Sequence, residues 1–467
     1  MLRINILRIK YAMFAAIVVI MPVNIAYAID SVARPACSVI GSGKLGLPLA
    51  VILAKHFETV TVDINPEIVA AINNRKSPVA EPGLQELLLN SELTATTNIE
   101  DAIKRTNVTF IIVPTPSTAD GTFTNKYVLD AITKVGAAIA KKDSYHLVSI
   151  TSTVMPGSTS GVIKAALEQT SGRKIGERLG LTYNPEFIAL GDVINGIEHP
   201  DMVLIGEPKN NSKAGNLLVD LYSKICPNQP SIMRTSYINA EMAKLALNTY
   251  LTMKITYANT LAEICDALPN ADAKEITRII AHDSRISPKF LTPGTPFGGP
   301  CLPRDTVAFS AVGKSVGIST DNVNATKIMN ERHLDWLVKK ISKLANPKKD
   351  QIAILGLSYK PGTDVTDAST GIALAHKLIH KGFRVVAYDP LLKNNLGIEL
   401  QTNLQSCIEN ANVVVVTTND KEFYDLKNIA LNEKKFPAIV FDCWRMFKTS
   451  DMPTASLLHI GTANVHY

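Results

Sequence analysis

The stretch FGGPCLPRD, residues 297–305, places Cys301 between a glycine pair and a proline, with Asp305 four residues on. GGPC lacks the apolar periodicity of a core segment and reads as a loop, so this thiol is presented rather than packed and is a candidate covalent nucleophile. The other five cysteines are scattered and none forms a C-x-x-C pair, so no disulfide framework or zinc spacing is visible. Cys37, Cys226, Cys265 and Cys407 read as small apolar core residues in a reducing compartment. A second candidate is the pair Lys244 and Asn248, four apart in the run from Ser236 to Leu268, which contains no glycine or proline. That run predicts one long helix, on which the two side chains share a face. Their neighbours are apolar, so a polar pair there requires partners.

The element that would bring a cofactor to these groups begins at Ala36, where a short apolar strand leads into Gly41-x-Gly43-x-x-Gly46, a helical run and a second strand ending at Asp63. Gly41 permits the tight turn, Gly43 lets the backbone approach a pyrophosphate, and Gly46 lets helix and strand pack closely. Asp63 lies twenty residues past Gly43, where a carboxylate binds both ribose hydroxyls and repels a 2′-phosphate, so NAD is expected rather than NADP. Further strands, VTFIIVPTP (108–116) and HLVSITSTV (146–154), alternate with helical segments and predict a parallel sheet covered on both faces. Thr115 and Thr153 stand at their carboxyl ends, which makes them candidate cofactor contacts. After a polar break, NPKKDQ (346–351), a second α/β pattern runs to the end without a G-x-G-x-x-G. His376 and His380 are an i, i+4 pair, but HKLIH lacks the central glutamate of H-E-x-x-H and has no third ligand, so no metal is expected.

Length predicts two or three domains. The fold class expected is α/β, with two Rossmann-like parallel-sheet domains joined by a long central helix. The divisions are an extension at 1–35, an NAD-binding domain at 36–225, a central helical domain at 226–345 carrying the cysteine loop, and a second Rossmann-like domain at 346–467. The net charge is +6, of which Arg3, Arg8, Lys10 and Arg34 against Asp30 supply +3 before residue 36. No basic stripe with interleaved aromatics follows, so nucleic-acid binding is not indicated. Arg3, Arg8 and Lys10 precede an apolar run, Tyr11 to Ile29, that ends in Ala26-Tyr27-Ala28, the pattern of a secretory signal peptide. A membrane anchor and a misassigned start, with Met13 or Met21 as later candidates, are the competing readings; Pro22 and Asn24 disfavour a spanning helix. A cytoplasmic enzyme with a dispensable or wrongly included extension is expected, with membrane association only if that segment is retained.

A nicotinamide enzyme that stops at a carbonyl needs a base but no thiol. When oxidation continues from aldehyde to acid, a thiolate adds to form a thiohemiacetal, hydride leaves, and water hydrolyses the resulting thioester. On GSGKLGLPLA, VAEPGLQELL, VPTP, STVMPG, NPEF, AEMAKLALN, DSRISPKFLTPGTPFGGPCLPRD, GLSYKP and FDCWR, the chain resembles the nucleotide-sugar 6-dehydrogenase family from about residue 36 to its end.

The resemblance implies that Cys301 is the nucleophile, its ionisation favoured by the helix that follows it. Lys244 and Asn248 would hold the sugar C6 oxygen and stabilise its developing charge. Asp305 would order water and the lysine, Glu186 would help activate the hydrolytic water, and Thr153 would join them in the catalytic set. Gly41, Gly43, Gly46, Asp63, Thr115, Thr153 and Arg304 would contact the cofactor. Phe290, Leu291 and Gly298 resemble the loop over sugar and uridine, Arg285 reaches the substrate of a neighbouring subunit, and Lys360 and Arg445 contribute from the C-terminal domain. The long helix resembles the family's dimer core, which implies a homodimer, with dimerisation through the domain at 226–345 and UDP-sugar binding by the domain at 346–467. Three positions depart from the pattern, all on what the family uses as its cofactor side: Leu190 replaces a glutamate, Asp367 an arginine and Ile68 a basic residue.

GGPC rather than GGHC, and NPEF rather than SPER, favour UDP-glucose over a UDP-N-acetylhexosamine or GDP-mannose, with a uronic acid for surface polysaccharide as product. A non-catalytic nucleotide-sugar binder and a single-step alcohol dehydrogenase are the rival readings.

Overall fold

The apolar runs form two sheets in the computed structural model, which describes residues 35–463 apart from 209–211, 395 and 433–436. The signal-like segment lies outside the described residues. The first sheet comprises β1 (Cys37–Ile40), β2 (Thr59–Val62), β3 (Thr94–Thr96), β4 (Val108–Ile111), β5 (His146–Ile150), β6 (Leu179–Tyr183), β7 (Met202–Gly206) and β8 (Ser231–Thr235), in the order 3-2-1-4-5-6-7-8. The second comprises β9 (Gln351–Leu355), β10 (Arg384–Tyr388), β11 (Glu399–Leu400), β12 (Val413–Val416), β13 (Ile439–Asp442) and β14 (Ser456–His459), in the order 11-10-9-12-13-14. Every pairing is parallel except the single antiparallel pair between β6 and β7 at Tyr183 and Gly206. β1, β4, β5 and β12 are buried throughout, which explains continuous apolar runs in place of alternation. The α/β class and the two Rossmann-like sheets agree with the sequence.

In each sheet the chain order reverses beside the first strand, between β1 and β4 and between β9 and β12, which opens a crevice at the strand carboxyl ends. β8 pairs with β7 along its whole length, so the first sheet runs to Thr235 and beyond the expected division at 225. The strand reads SIMRT and is largely exposed at the sheet edge, so it carries no hydrophobic run that would announce it.

The long helix spans Tyr237–Ala267, opened by Ser236, whose side chain accepts from the Asn239 N–H, and closed at Leu268 just before Pro269. It packs on β7 and on the helices Leu302–Ser315 and Asp321–Ser342, tying the first sheet to the segment that leads to the second. All six cysteines are free; five are buried and Cys301 is exposed. Among the described residues no group of His, Cys, Asp or Glu is arranged to hold a metal ion, and no helix is long and apolar enough to cross a membrane.

Candidate active site

The first glycine loop and the cysteine loop face one cavity of about 1480 Å³. Gly41 has φ +104°, and a Cβ there would lie 2.1 Å from the Ile112 carbonyl oxygen; a Cβ on Gly46 would lie 1.9 Å from that of Gly41. Both glycines are demanded by the protein's own packing. Gly43 differs, because a Cβ there meets nothing within 4 Å and points into open cavity. The space it leaves is suited to something other than protein. Asp63 directly follows β2 and lines the same cavity, held by the N–H of Ser42 at 2.9 Å and of Asn65 at 3.0 Å. Loop and acid together fit the pyrophosphate and ribose of a dinucleotide.

Lys244, Asn248 and Cys301 line the cavity from the other side. Asp305, fully buried beneath them, accepts from Asn248 Nδ2 at 2.6 Å and from Arg304 Nε and Nη2 at 3.2 and 3.1 Å. Lys244 Nζ donates to the Glu186 main-chain oxygen at 2.6 Å and lies 5.0 Å from the centre of the Phe187 ring. Burial lowers the ammonium's pKa, while Asp305, Cys301 and Glu186 pull it back up. Glu186 is pushed up to about 7 by burial, opposed by the charge of Lys244, and its Oε1 lies 3.0 Å from the Tyr222 hydroxyl. Cys301 is the N-cap of the helix Leu302–Ser315, as its position ahead of a helix implied. The expected ionisation does not follow from that position alone. The surrounding protein raises the thiol's pKa, Asp305 and Asp367 add to the shift, and Lys244 and Arg304 oppose it.

Gly298 and Gly299 let the second domain approach this loop. A Cβ on Gly298 would lie 2.2 Å from the Ala368 carbonyl oxygen, and one on Gly299, at φ +85°, would lie 2.5 Å from the Tyr359 ring. Lys360 reaches the cavity from the same domain, and Phe290 reaches it from a left-handed position at φ +62°; Leu291 is buried beside Phe290 and is not part of the wall. Thr115, Thr153 and Arg304 stand behind the wall: Thr115 Oγ1 donates to the Thr153 carbonyl at 2.7 Å, and the Arg304 guanidinium lies 4.4 Å from the Phe123 ring centre.

Two of the expected substrate residues lie outside this chain's cavity; for Arg285 the expected substrate is that of a neighbouring subunit. Arg445 lies outside the cavity wall, since it grips Asp272 with Nη1 at 2.6 and 2.8 Å and the carbonyls of Ile460 and Gly461 with Nη2. Arg285 is largely exposed and paired with Asp283, also outside the wall. The three departures from the family pattern stand at separate places around the site. Leu190 lines the cavity, Ile68 packs against the first core, and Asp367 sits by the cysteine loop, where its main-chain oxygen accepts from Gly299 at 2.9 Å.

Sequence reasoning missed three residues near the site. Lys44, inside the glycine loop, forms an ion pair with Asp364 of the second domain. Glu81 binds the N–H groups of Gly191 and Val193 at 2.8 and 2.7 Å, fixing the chain just after Leu190. Tyr222 touches Glu186. Each contact joins residues at least 36 apart, so no local spacing reveals it.

Family models for the NAD-binding, central and UDP-binding domains of one dehydrogenase family match residues 35–226, 238–332 and 353–449. The chain belongs to the UDP-glucose/GDP-mannose dehydrogenase family. It is 34% identical to the UDP-glucose 6-dehydrogenase AglM of Haloferax volcanii, over 83% of this chain and 91% of that protein. It is 32% identical to a GDP-mannose 6-dehydrogenase of Pseudomonas putida, over 83% and 91%. A solved UDP-glucose dehydrogenase from Pyrobaculum islandicum superposes with a TM-score of 0.81 at 27% identity, covering 92% of this chain and 98% of that one. This member of the dehydrogenase family is thus an NAD-dependent nucleotide-sugar 6-dehydrogenase.

Proposed function

We propose that this dehydrogenase oxidises the C6 hydroxyl of UDP-glucose to a carboxylate in two hydride transfers, with Cys301 as covalent nucleophile. The observation that carries this reading is that Cys301, Lys244 and Asn248 line the same cavity as the dinucleotide loop. NAD supplies the hydride acceptor. In the first oxidation Lys244 and Asn248 hold the C6 oxygen, whose proton passes to the water ordered by Asp305 as the hydride leaves, and Asp305, bonded to Asn248 at 2.6 Å, keeps the amide turned for that task. Lys244 and Arg304 then favour ionisation of the Cys301 thiol, which adds to the aldehyde. The thiohemiacetal loses the second hydride, and water displaces Cys301 from the thioester with Glu186 taking the water's proton. Lys360 serves the nucleotide phosphates from the second domain. GGPC, NPEF and the likeness to the Haloferax enzyme support UDP-glucose, and a uronic acid for surface polysaccharide is the product in this reading.

A homodimer completes the proposal. Tyr250, Tyr257 and Ile264 recur every seven residues along the long helix and are 59%, 55% and 49% exposed, an apolar stripe suited to a second copy. The substrate is tested by initial rates of NADH release with UDP-glucose, UDP-N-acetylglucosamine, UDP-N-acetylmannosamine and GDP-mannose. The expected outcome is a kcat/KM for UDP-glucose at least about tenfold above the others, a difference of about 1.4 kcal/mol. A higher value for any other sugar overturns the assignment.

A further inference from the structure

Beside the cavity, Asn184, Tyr222 and Glu186 form a hydrogen-bonded chain in which the protons can be counted. Asn184 follows β6 and is 1% exposed; Tyr222 lies on the helix Ser212–Ile225 and is 2% exposed. Asn184 Nδ2 donates to the Leu204 carbonyl in β7 at 2.9 Å. A carbonyl only accepts, so the amide cannot be turned, and its Oδ1 faces the Tyr222 hydroxyl at 2.7 Å. That oxygen also only accepts. The single Tyr222 proton is therefore directed at Asn184, on the shorter of the hydroxyl's two contacts. The second contact is Glu186 Oε1, 3.0 Å from the same hydroxyl. With the Tyr222 proton committed to Asn184, an ionised Glu186 would set two lone pairs against each other in a buried place.

We propose that Asn184 and Tyr222 hold Glu186 as a neutral carboxylic acid whose O–H is donated to the Tyr222 oxygen, making Tyr222 a positioning residue that sets the acid limb of thioester hydrolysis. Glu186 becomes a base for the attacking water only after its own proton has passed to solvent. The groups facing it from neighbouring elements are Lys244 on the long helix and, on the helix Ser212–Ile225, Tyr222 with Cys226 beyond it; Glu198 faces Cys226 in turn. Burial pushes both the tyrosine and the Cys226 thiol up, so neither is charged, and Lys244 is the one cation opposing the neutral acid. The inference rests on the proposed function for the role of Glu186 in hydrolysis, but the proton assignment does not.

Two readouts separate these parts. The first is infrared difference spectroscopy of the full chain against Glu186→Gln, following the carbonyl stretch of a protonated carboxyl from pH 5 to pH 9. A band that titrates away near neutral pH is expected, and Tyr222→Phe, which removes the acceptor of that proton, should move its midpoint down by about one pH unit. No band at pH 5 to 6, or a midpoint that moves up in Tyr222→Phe as an ionised Glu186 accepting from Tyr222 requires, overturns the assignment. Should Tyr222→Phe not fold, Glu186→Gln decides: its amide donates to Tyr222 as the acid does, so the thermal midpoint at neutral pH should be unchanged, and a fall of several degrees contradicts the neutral acid. The second readout is single-turnover thioester hydrolysis against pH, whose acid limb should follow the infrared midpoint in both proteins. A limb that stays put while the band shifts removes Glu186 from hydrolysis and leaves the proton assignment standing.

Discussion

Gly43 and Gly46 belong to one motif but serve different masters. Gly46 is fixed by the Gly41 carbonyl oxygen, whereas Gly43 borders open cavity. Gly43→Ala should therefore fold with an unchanged thermal midpoint yet bind NAD about tenfold or more weakly, a loss of about 1.4 kcal/mol or more that calorimetric titration would measure. A destabilised variant with unchanged affinity would contradict this division. The spacing of these glycines, of Asp63, and of Lys244 with Asn248 was legible in the sequence because each depends on neighbours within a turn or one strand-helix unit. What Arg445 does was not legible. Its partner Asp272 lies 173 residues away, and a conspicuous FDCWR motif cannot say that the guanidinium is already occupied. The raised pKa of Cys301 was not legible either, since it comes first from burial and only then from Asp305, one turn into the helix that Cys301 caps, and from Asp367 of the second domain.

At the scale of elements, those with strong internal pattern, such as β1, β4, β5 and the long helix, are plain in the sequence. β8 was missed because it is a polar edge strand whose partner, β7, supplies the reason for its existence. β5 also carries a buried titratable group. His146, fully buried, has Nε2 2.7 Å from Thr109 Oγ1 and Nδ1 3.3 Å from Lys142 Nζ. Burial, reinforced by Lys142 and Arg173, lowers its pKa well below 6.5. The unfolded chain then binds a proton below pH 6.5 that the folded chain refuses. The contribution of neutral His146 is present above pH 6.5 and is lost as pH falls below it, by roughly 1.4 kcal/mol per pH unit. Urea unfolding of the wild type against His146→Gln between pH 5 and 7.5 should show the steeper acid loss in the wild type. Parallel curves would place the proton elsewhere.

For the whole molecule, the two sheets and the helix between them bring a dinucleotide loop and a cysteine loop to one cavity, a convergence that the family resemblance implied and that no local spacing could show. Assembly is the next level. If the stripe on the long helix is covered by a second copy, Tyr257→Glu buries a charge in that contact and should shift the protein from dimer to monomer in sedimentation analysis at micromolar concentration. A wild type that sediments as a monomer would deny the dimer. The most direct test of the central claim, that Cys301 carries the sugar through a covalent second oxidation, is to count NADH formed per UDP-glucose consumed by the wild type and by Cys301→Ser. The account predicts two NADH per sugar for the wild type and loss of completed turnover in the variant. One NADH per sugar in the wild type, or two in Cys301→Ser, would contradict it.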